Sequence, residues 1–341
     1  TNLTSPDTIT LHKNLNLLRN KKINNVIIEA SSHGLDQKRL HHINFKGAIF
    51  TNFSQDHLDY HKNMNSYLNA KLILFKKILK KNSVIISDKE IKPFSELKKI
   101  SKKRNLKLLD ISKNLIKIEN NQSKFMSDFK IKNLAMAING IKLCGLKEKL
   151  IFKAIKKIKD VNGRLELVKH FSNDVKVFVD YAHTPDALLK TLKSLELLYK
   201  KKISLVFGCG GDRDQKKRPL MAKIANKHCK KIYVTDDNPR NENPKKIRQT
   251  LIKYIDKNKA LNIGNRALAI KKAIQNADHQ EIILIAGKGH EESQIYKNKI
   301  INISDKRIVK KIKFKSKVIN NKHKNFSQNK AILSQILGKK I

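Results

Sequence analysis

Short apolar runs recur along the chain, and each is followed by a turn rich in Gly, Asp or Asn and then by a helical pattern. Runs that carry many β-branched residues and alternate with helices predict parallel strands covered on both faces, and hence an α/β fold. The predicted strands are Val26–Ile28, Ala48–Phe50, Val84–Ile86, Val175–Val179, Ile203–Phe207, Ile232–Val234 and Ile282–Ile285.

Proline and capping residues indicate where three of the helices begin. Pro is favoured in the first turn of a helix, where its missing N–H has no partner to lose. Thr184-Pro185-Asp186 precedes a predicted helix over Ala187–Leu198, Arg218-Pro219 precedes one over Leu220–Asn226, and Asn243-Pro244 precedes one over Lys245–Ile255.

A change of pattern divides the chain into two domains and a tail. A predicted helix ends near Asp160, and from Gly163 onward a new series of four strand–helix units begins. After about Phe314 the chain is rich in Lys and Asn and shows only one weak helical stretch, Ala331–Leu337. We therefore predict domains over 1–161 and 162–314, and a basic tail of unknown role over 315–341.

The composition suits folded domains but carries an unusual charge. Of the 341 residues 40% are hydrophobic, and 74 Lys and Arg against 29 Asp and Glu give a formal net charge of +45. Such a charge suggests a basic nucleic-acid-binding protein as an alternative from another functional class. The excess is mostly Lys spread along the chain, however, and with 6% aromatic residues and no Trp few platforms exist for stacking bases. We expect no nucleic-acid partner.

The sequence shows no pattern for membrane insertion or for a cysteine cluster. No run of about 18 uncharged apolar residues is present, so we expect no insertion into a membrane. No signal-peptide pattern is visible, and the start at Thr1 without Met suggests that the sequence opens inside a protein. Cys144, Cys209 and Cys229 have neither disulfide nor metal spacing, which is typical of a reducing, cytoplasmic protein.

Residues with chemical potential follow the predicted strands, at the edge where open α/β sheets bind ligands. Glu29 ends the run Val26–Ile28, and there a carboxylate could bind a hard cation or pair with a lysine. Two His and two Asp within Asp56–His61 could form a metal site or a polar turn.

Lys71 lies on the apolar stripe of a predicted helix, whose apolar residues recur at 68, 72, 75 and 79. A lysine that faces a core is costly unless it is paired, and burial favours its neutral, nucleophilic amine. The alternative is a lysine whose ammonium reaches water along its own aliphatic stem.

Four turns of the second domain combine Gly, Arg and acidic residues. A Gly-rich turn exposes backbone N–H groups that can bind an anion, and four such turns on one sheet edge predict a pocket for a zwitterion. No Gly-Lys pair is followed by Ser or Thr, so the sequence contains no P-loop, and we expect the chain by itself not to turn over ATP. The turns are Asp180–Pro185, Gly208–Asp214, Thr235–Arg240 and Gly287–Glu291.

Taken in order, these segments resemble the Mur ligases of peptidoglycan synthesis, from about Thr4 to Lys311. The resemblance implies a central Mur-ligase-type ATPase domain with a parallel-rich sheet whose start is missing, followed by a Rossmann-like C-terminal α/β domain that binds an amino acid. Two positions depart from the family pattern, because Lys130 stands where Asn is common and Asn162 where Pro is usual. The family motifs are matched by Glu29–Gln37, Thr51–His61, Asp180–Asp186, Gly208–Asp214 and Gly287–Glu291.

The implied activity is ATP-dependent formation of an amide bond through an acyl phosphate. It would join meso-diaminopimelate to UDP-N-acetylmuramoyl-L-alanyl-D-glutamate, in the synthesis of peptidoglycan precursors and hence in cell-wall biogenesis, cell shape and division. ATP is the implied co-substrate and Mg²⁺ the implied cofactor. Related ligases that add lysine, or that extend folate with glutamate, are the alternatives. Asp237-Asn238-Pro239-Arg240 favours diaminopimelate, because a planar Arg can bind its distal carboxylate in a bidentate manner.

The resemblance also implies roles for individual residues. Glu29, His57 and Lys71 are implied to act in catalysis and to bind magnesium, Lys71 after carbamylation by carbon dioxide. Contacts to the UDP-muramoyl-dipeptide are implied for Thr4, Ser5, Ser31, Gln37 and Arg39, and contacts to ATP for Asn133, Arg164 and Asp180. The implied diaminopimelate pocket comprises Arg213, Asp237, Asn238, Arg240, Gly287 and Glu291.

Overall fold

The computed structural model of the protein describes residues 3–112 and 127–313. The predicted basic tail over 315–341, with its helical stretch Ala331–Leu337, lies outside the described residues. Within the described ranges, a three-stranded and a six-stranded sheet follow one another along the chain, each flanked by helices, and a two-stranded hairpin comes after them.

A small parallel sheet forms the centre of the first half. Its strands β1 (Gly47–Phe50), β2 (Val84–Ser87) and β3 (Lys107–Asp110) are hydrogen-bonded in that order. Ile85 and Ile86 of the central strand are completely buried, in two different clusters of apolar side chains. Because neighbouring residues of a strand point to opposite faces, helices cover both faces of this sheet.

Several helices of this half begin at capping side chains. Asp7, Ser31 and Asn63 each accept a hydrogen bond from a backbone N–H in the first turn of the helix that follows. The helices are α1 (Thr8–Asn20), α2 (Ser32–Asp36), α3 (Leu58–His61), α4 (Met64–Ile73), α5 (Phe94–Arg104), α6 (Asp128–Leu143) and α7 (Glu148–Ile155).

The helix that carries Lys71 has the predicted apolar stripe. Leu72, Phe75 and Leu79 are buried in the core, and α4 continues as a π-helix over Leu74–Ile78. A π-helical turn widens the helix locally and is common near functional sites. The apolar side of the helix therefore anchors Lys71 beside β1.

The prediction of a strand at Val26–Ile28 is wrong. The residues form neither helix nor strand, and Ile27 is 85% exposed. Ile28 alone packs against the core of the first half. An apolar run can indicate a strand, but a strand also needs a partner backbone, and among the described strands β1 pairs only with β2. Glu29 therefore follows an unpaired segment.

The second half is built on a six-stranded sheet with the order β4-β5-β9-β6-β7-β8. β4 pairs antiparallel with β5, and the other pairs are parallel. Every residue of β6 and β9 is buried, as expected for central strands covered on both faces. The strands are β4 (Glu166–His170), β5 (Lys176–Asp180), β6 (Ile203–Phe207), β7 (Lys231–Val234), β8 (Ala260–Asn262) and β9 (Ile282–Ala286), and the hairpin β10 (Ser293–Tyr296) and β11 (Lys299–Asn302) follows.

The predicted caps of two helices in this half are confirmed, because Thr184 and Asn243 both accept hydrogen bonds from first-turn N–H groups. One helix begins at Lys217, three residues before the predicted start, so Pro219 lies inside its first turn. Pro is tolerated there because the first N–H groups of a helix have no intrahelical partner. The helices are α8 (Pro185–Tyr199), α9 (Lys217–His228), α10 (Pro244–Ile252), α11 (Arg266–Gln275) and α12 (Asp305–Lys311).

The predicted α/β class is confirmed, and six of the seven predicted strands are present. The predicted division after residue 161 falls in the connection between α7 and β4. No helix in the described ranges is both long and apolar enough to cross a membrane.

A buried ion pair joins α11 to α12 below the carboxyl edge of the large sheet. Arg266 and Asp305 are both 1% exposed, and the guanidinium Nε and Nη2 donate to the two carboxylate oxygens at 2.8 Å. Arg266 Nη2 also donates to the carbonyl of Ala286 at 3.0 Å, and Nη1 to that of Asp236 at 3.4 Å. The same side chain thus holds the ends of β9 and β7.

Removing one partner of the Arg266–Asp305 ion pair should lower the stability of the second half. Asp305→Ala would leave a buried guanidinium without its counter-charge, and we expect the free energy of unfolding to fall by about 3–5 kcal/mol. Urea denaturation followed by circular dichroism measures this loss. Arg307→Ala is the control, because Arg307 pairs with Glu292 at the surface and should cost less than about 1 kcal/mol. Equal losses in both variants would contradict the prediction.

Candidate active site

The order of the large sheet brings the four predicted turns to one edge. β5, β9, β6 and β7 are neighbours and run parallel, so the residues that follow them meet at their common carboxyl end. This is the edge at which open α/β sheets bind ligands. The predicted clustering of the motifs at this edge is confirmed.

Glu291 is at the centre of the predicted amino-acid pocket. Its Oε2 accepts hydrogen bonds from Asn238 Nδ2 at 3.1 Å and Lys288 Nζ at 2.9 Å, and its Oε1 from the Tyr181 hydroxyl at 3.3 Å. Burial by itself would raise the pKa of Glu291, but the charge of Lys288 and these hydrogen bonds outweigh it and lower the pKa. Glu291 is therefore an anion at neutral pH, held in one orientation.

Gly287 lets Asp237 approach the backbone closely. Its φ is +114°, and a Cβ built there would lie 2.7 Å from Asp237 Oδ2. Only glycine combines that backbone conformation with the free space the carboxylate needs. Asp237 Oδ2 is buried and has no hydrogen-bond partner in the described structure, so it presents an unused acceptor in the pocket.

Arg240 and Arg213 both lie close to Gly210, since a Cβ built there would be 2.9 Å from Arg240 Nη1 and 3.8 Å from Arg213 Cγ. Arg240 Nη1 donates a hydrogen bond to the carbonyl of Gly211 at 2.9 Å. The backbone φ of Arg240 is 51°, a value that is rare for a residue other than glycine. Burial, and then the charge of Arg213, lower the pKa of Arg240. Two guanidinium groups therefore face one small region.

The Gly-rich turn that carries Arg213 is held by a charged pair. Arg218 Nη2 donates to Glu242 Oε1 at 2.7 Å and to the carbonyl of Gly210 at 3.1 Å, and Nη1 donates to Glu242 Oε2 at 2.9 Å. The backbone N–H of Asp212 also donates to Glu242. These bonds fix the turn beneath both arginines.

The predicted ATP contacts are only partly brought together. The Arg164 guanidinium lies 4.2 Å from the centre of the Tyr181 ring, and its Nη1 is buried without a hydrogen-bond partner in the described structure. Asp180 is buried instead among the N–H groups of Leu165 and Ala182 and the hydroxyl of Thr191. Asn133 is exposed on α6.

Lys130, one helical turn before Asn133, connects α6 to the segment of Arg164. Its Nζ donates to Asp160 at 2.8 Å and to the carbonyl of Leu165 at 3.3 Å. The departure from the family pattern at this position therefore has a structural use, since a long cationic side chain spans the connection between the two halves.

The residues predicted to contact the UDP-linked substrate form one cluster. Ser5 Oγ donates to the carbonyl of Glu29 at 2.8 Å and accepts from the N–H of Ser31 at 2.9 Å. Arg39 donates to the carbonyl of Ser5 at 2.9 Å and to the side chain of Gln37. Thr4 is exposed beside this cluster.

Lys71 makes no hydrogen bond or ion pair with any described residue. Its Nζ lies 5.2 Å from the centre of the Tyr67 ring and 5.9 Å from that of Phe50. Burial lowers the pKa of Lys71, and the carboxylates of Asp56 and Glu29 offset part of that effect. The amine is therefore more easily deprotonated than an exposed lysine, as carbamylation requires.

The predicted magnesium ligands lack a third acidic or imidazole donor. Among the described residues no group of three or more His, Cys, Asp and Glu side chains is placed to hold a metal ion. His57 has a φ of 56°, in the left-handed region that few residues other than glycine adopt. Burial lowers its pKa, so its imidazole is available as a neutral ligand. Glu29 and His57 fit a metal only if Lys71 gains a carboxylate.

Asp56 is the residue that the sequence interpretation missed. Its carboxylate lies 3.5 Å from His57 Nε2 and 3.4 Å from Nε2 of His183, which follows β5 in the second half. His183 Nδ1 is 2.8 Å from the carbonyl of Tyr181, so that nitrogen carries a proton and Nε2 faces Asp56. Burial by itself would raise the pKa of Asp56, but the hydrogen bond with His183 and nearby positive charges lower it.

Two further contacts join the halves at the same place. Gln55 Nε2 donates to Asp214 Oδ2 at 2.7 Å, and Arg213 Nη1 lies 3.6 Å from Asp59 Oδ2. The sequence had indicated the residues of these pairs, because Gln55 and Asp59 lie in the motif 51–61, and Arg213 and Asp214 lie in the motif 208–214. Their partners could not be identified without the fold.

Neutralising Glu242 should loosen the Gly-rich turn in a pH-dependent way. Hydrogen bonds from Arg218 lower the pKa of Glu242, so the stabilisation is full above the ordinary carboxyl range and is lost as the pH falls through the lowered value. We expect Glu242→Gln to lower the free energy of unfolding by about 1–2 kcal/mol at pH 7, with the difference shrinking below about pH 4. Urea titrations at several pH values measure it. Glu292→Gln, at the exposed pair with Arg307, should show neither effect.

Comparisons with known proteins assign each half of the chain to a domain of one family. Residues 1–145 match the Mur ligase middle domain, and residues 163–289 match the Mur ligase glutamate ligase domain. The UDP-N-acetylmuramoyl-L-alanyl-D-glutamate–2,6-diaminopimelate ligase of Rickettsia montanensis is 38% identical over 332 residues, which cover 91% of this chain and 68% of that protein. The ligase of the same name from Wigglesworthia glossinidia brevipalpis is 40% identical over 339 residues, 92% of this chain and 68% of that protein.

Solved structures show the same relationship. A structure of a UDP-N-acetylmuramoyl-L-alanyl-D-glutamate–2,6-diaminopimelate ligase aligns with a TM-score of 0.55 and 29% identity, covering 89% of this chain and 67% of that one. A folylpolyglutamate synthase of Mycobacterium tuberculosis aligns with a TM-score of 0.57 over 72% of this chain and 62% of that one, but at 15% identity it shows only a shared fold. On the two domain matches and the identity over most of its length, the chain belongs to the Mur ligase family.

Proposed function

We propose that this chain carries the central and C-terminal parts of a ligase that adds meso-diaminopimelate to UDP-N-acetylmuramoyl-L-alanyl-D-glutamate at the expense of ATP. Mur ligases are ATP-dependent, and the relatives named above act on this substrate by name. The observation that carries the proposal is the pocket in which Arg240 and Arg213 face Asp237 and Glu291.

The pocket complements an amino acid that has charged groups of both signs at its far end. Arg240 uses Nη1 for backbone carbonyls, whereas Nε and Nη2 make no hydrogen bond with described residues. These two N–H groups form the fork that binds a carboxylate in a bidentate manner. Asp237 Oδ2, buried and unpartnered, and the anionic Glu291 can accept from an ammonium. Diaminopimelate offers both groups, and lysine lacks the distal carboxylate.

The proposed reaction has two steps. A carboxylate oxygen of the dipeptide attacks the γ-phosphorus of ATP and ADP leaves, which gives an acyl phosphate. The amine of diaminopimelate then attacks the acyl carbon, and inorganic phosphate leaves. Arg164, with its unpartnered Nη1 above Tyr181, is the best-placed candidate to bind the nucleotide. The contacts of Asp56 and Asp59 with the second half bring the amino-acid pocket toward the first half.

Magnesium would be held by Glu29, His57 and carbamylated Lys71, and when bound it neutralises phosphate charge. Lys71 fits this role because its amine is desolvated, has no partner in the described structure and lies within the electrostatic reach of Glu29. Ser5, Ser31, Gln37 and Arg39 would receive the UDP-linked dipeptide beside it. We place the enzyme in the cytoplasm, which suits its three free cysteines.

Arg240 should decide which amino acid binds. Isothermal titration of the chain with meso-diaminopimelate and with L-lysine should show at least 30-fold weaker diaminopimelate binding in Arg240→Ala, since loss of a bidentate pair costs about 2–5 kcal/mol. Lysine binding, which is already weak, should change much less. Arg240→Lys should also be impaired, because an ammonium cannot reproduce the fork.

The matched control is Arg307→Ala, which removes one exposed Arg from the same half and should bind diaminopimelate normally. Equal proportional losses for both amino acids in Arg240→Ala would mean that Arg240 only supports its loop. The assignment of diaminopimelate would then lose its physical basis.

Lys71 should form a carbamate. With ¹³C-labelled bicarbonate, we expect a carbamate resonance in the NMR spectrum that grows when Mg²⁺ is added, because the metal stabilises the new carboxylate. Lys71→Ala should lose the resonance, whereas Lys76→Ala, an exposed lysine in the next turn, should keep it. A resonance that survives in Lys71→Ala would remove the proposed third magnesium ligand.

A further inference from the structure

Lys217, to which no role has yet been given, is a buried lysine without a partner. It is 4% exposed, and it makes no hydrogen bond or ion pair with any described residue. A buried ammonium is costly unless it is paired. Lys217 is also the first residue of α9, where the positive end of the helix dipole raises that cost further. A direct hydrogen-bonding or charged partner for this side chain is therefore missing from the described structure.

Residues near Lys217 come from both halves of the chain. Its charge lowers the pKa of Asp56, which belongs to the first half. Its charge also opposes the effect of burial at Cys209, which follows β6 and whose pKa burial raises to about 11. Asp214, three residues before Lys217, accepts the hydrogen bond from Gln55. Lys217 thus lies near Asp56, the neighbour of the candidate magnesium ligand His57, and near Cys209 in the Gly-rich turn.

The carboxylates near Lys217 are already engaged elsewhere. Asp56 is held by the N–H of His57 at 2.9 Å and by the imidazoles of His57 and His183. Asp214 accepts from Gln55 and from the N–H of Lys216. The next side chain, Arg218, gives its two terminal nitrogens to Glu242 and Gly210, and its Nε is buried without a partner. None of these carboxylates therefore forms a hydrogen bond or an ion pair with the ammonium of Lys217 in the described structure.

We propose that Lys217, with the amino end of α9, binds the phosphoryl oxygens of an acyl phosphate or of the phosphate it releases. A lysine ammonium acts as a point charge toward phosphate, and a helix amino end favours an anion. A substrate carboxylate is the weaker candidate for the site at Lys217, because Arg240 already offers two N–H donors to a carboxylate in the amino-acid pocket. The proposal rests on the proposed function, since that reaction puts an acyl phosphate where the two halves meet.

The test uses the whole chain and two probes. Isothermal titration with inorganic phosphate and with acetyl phosphate at 0.15 M NaCl compares the wild type with Lys217→Met and Lys217→Arg. We expect at least tenfold weaker binding in Lys217→Met and partial retention in Lys217→Arg. Lys216→Met is the matched control, because it removes the neighbouring, exposed lysine and the same net charge, and it should bind like the wild type.

Lys217→Met should fold, since it replaces an unpaired buried cation with an apolar side chain of similar length, and its thermal midpoint should not fall. Binding of both probes assigns the acyl phosphate to the site, and binding of phosphate alone assigns the released product. Undetectable phosphate binding to the wild type, or equal affinity in Lys217→Met, overturns the proposal. If diaminopimelate fails to bind while phosphate binding depends on Lys217, the ligase assignment falls and the anion site stands.

Discussion

The buried guanidinium of Arg266 determines the shape of the amino-acid pocket. The ion pair with Asp305 compensates the charge of this buried side chain. The guanidinium also donates hydrogen bonds to the carbonyls of Asp236 and Ala286. The residues that follow these two carbonyls are Asp237 and Gly287, which approach each other to within van der Waals contact. A side chain that touches no substrate thus sets the distance between two walls of the site.

The junction between the two halves depends on a different physical principle. Phe129 of α6 packs against the core of the second half, and Asp56, Asp59 and Gln55 make polar contacts with second-half residues at three separate points. Such contacts cost little to break in water, because each group regains hydration when the halves separate.

Elements that are determined by their own residues were predicted correctly from the sequence. Elements that depend on a partner elsewhere in the chain were not. β6 was predicted with its correct bounds, because four apolar residues among five between turns are sufficient to identify a central strand. Val26–Ile28 has the same local pattern, yet it is not a strand, because pairing depends on a neighbour that local pattern cannot supply. The motif residues of the pocket were predicted together because parallel strands must end at one edge.

Side-chain roles were harder to predict than positions. Asp180 lies in a motif with His183 and looks equally available, but its two oxygens are used by Leu165, Ala182 and Thr191. Asp56 looked like part of a polar turn, and it is instead the carboxylate on which imidazoles from both halves converge. Whether a carboxylate is available or already bonded depends on residues distant in sequence, so spacing alone cannot determine it.

Burial distinguishes the important cations from the rest of a strongly basic chain. The net charge of the chain is +45, and of the lysines in the described ranges only Lys217 and Lys288 are buried. Within the described ranges the buried Lys and Arg side chains are Lys217, Arg218, Arg266 and Lys288, and all of them lie at the carboxyl edge of the large sheet. Arg218, Arg266 and Lys288 each face a carboxylate of the chain. Burying a cation is costly wherever it occurs, and Lys217 is the one of these four that has no ion pair with a described residue.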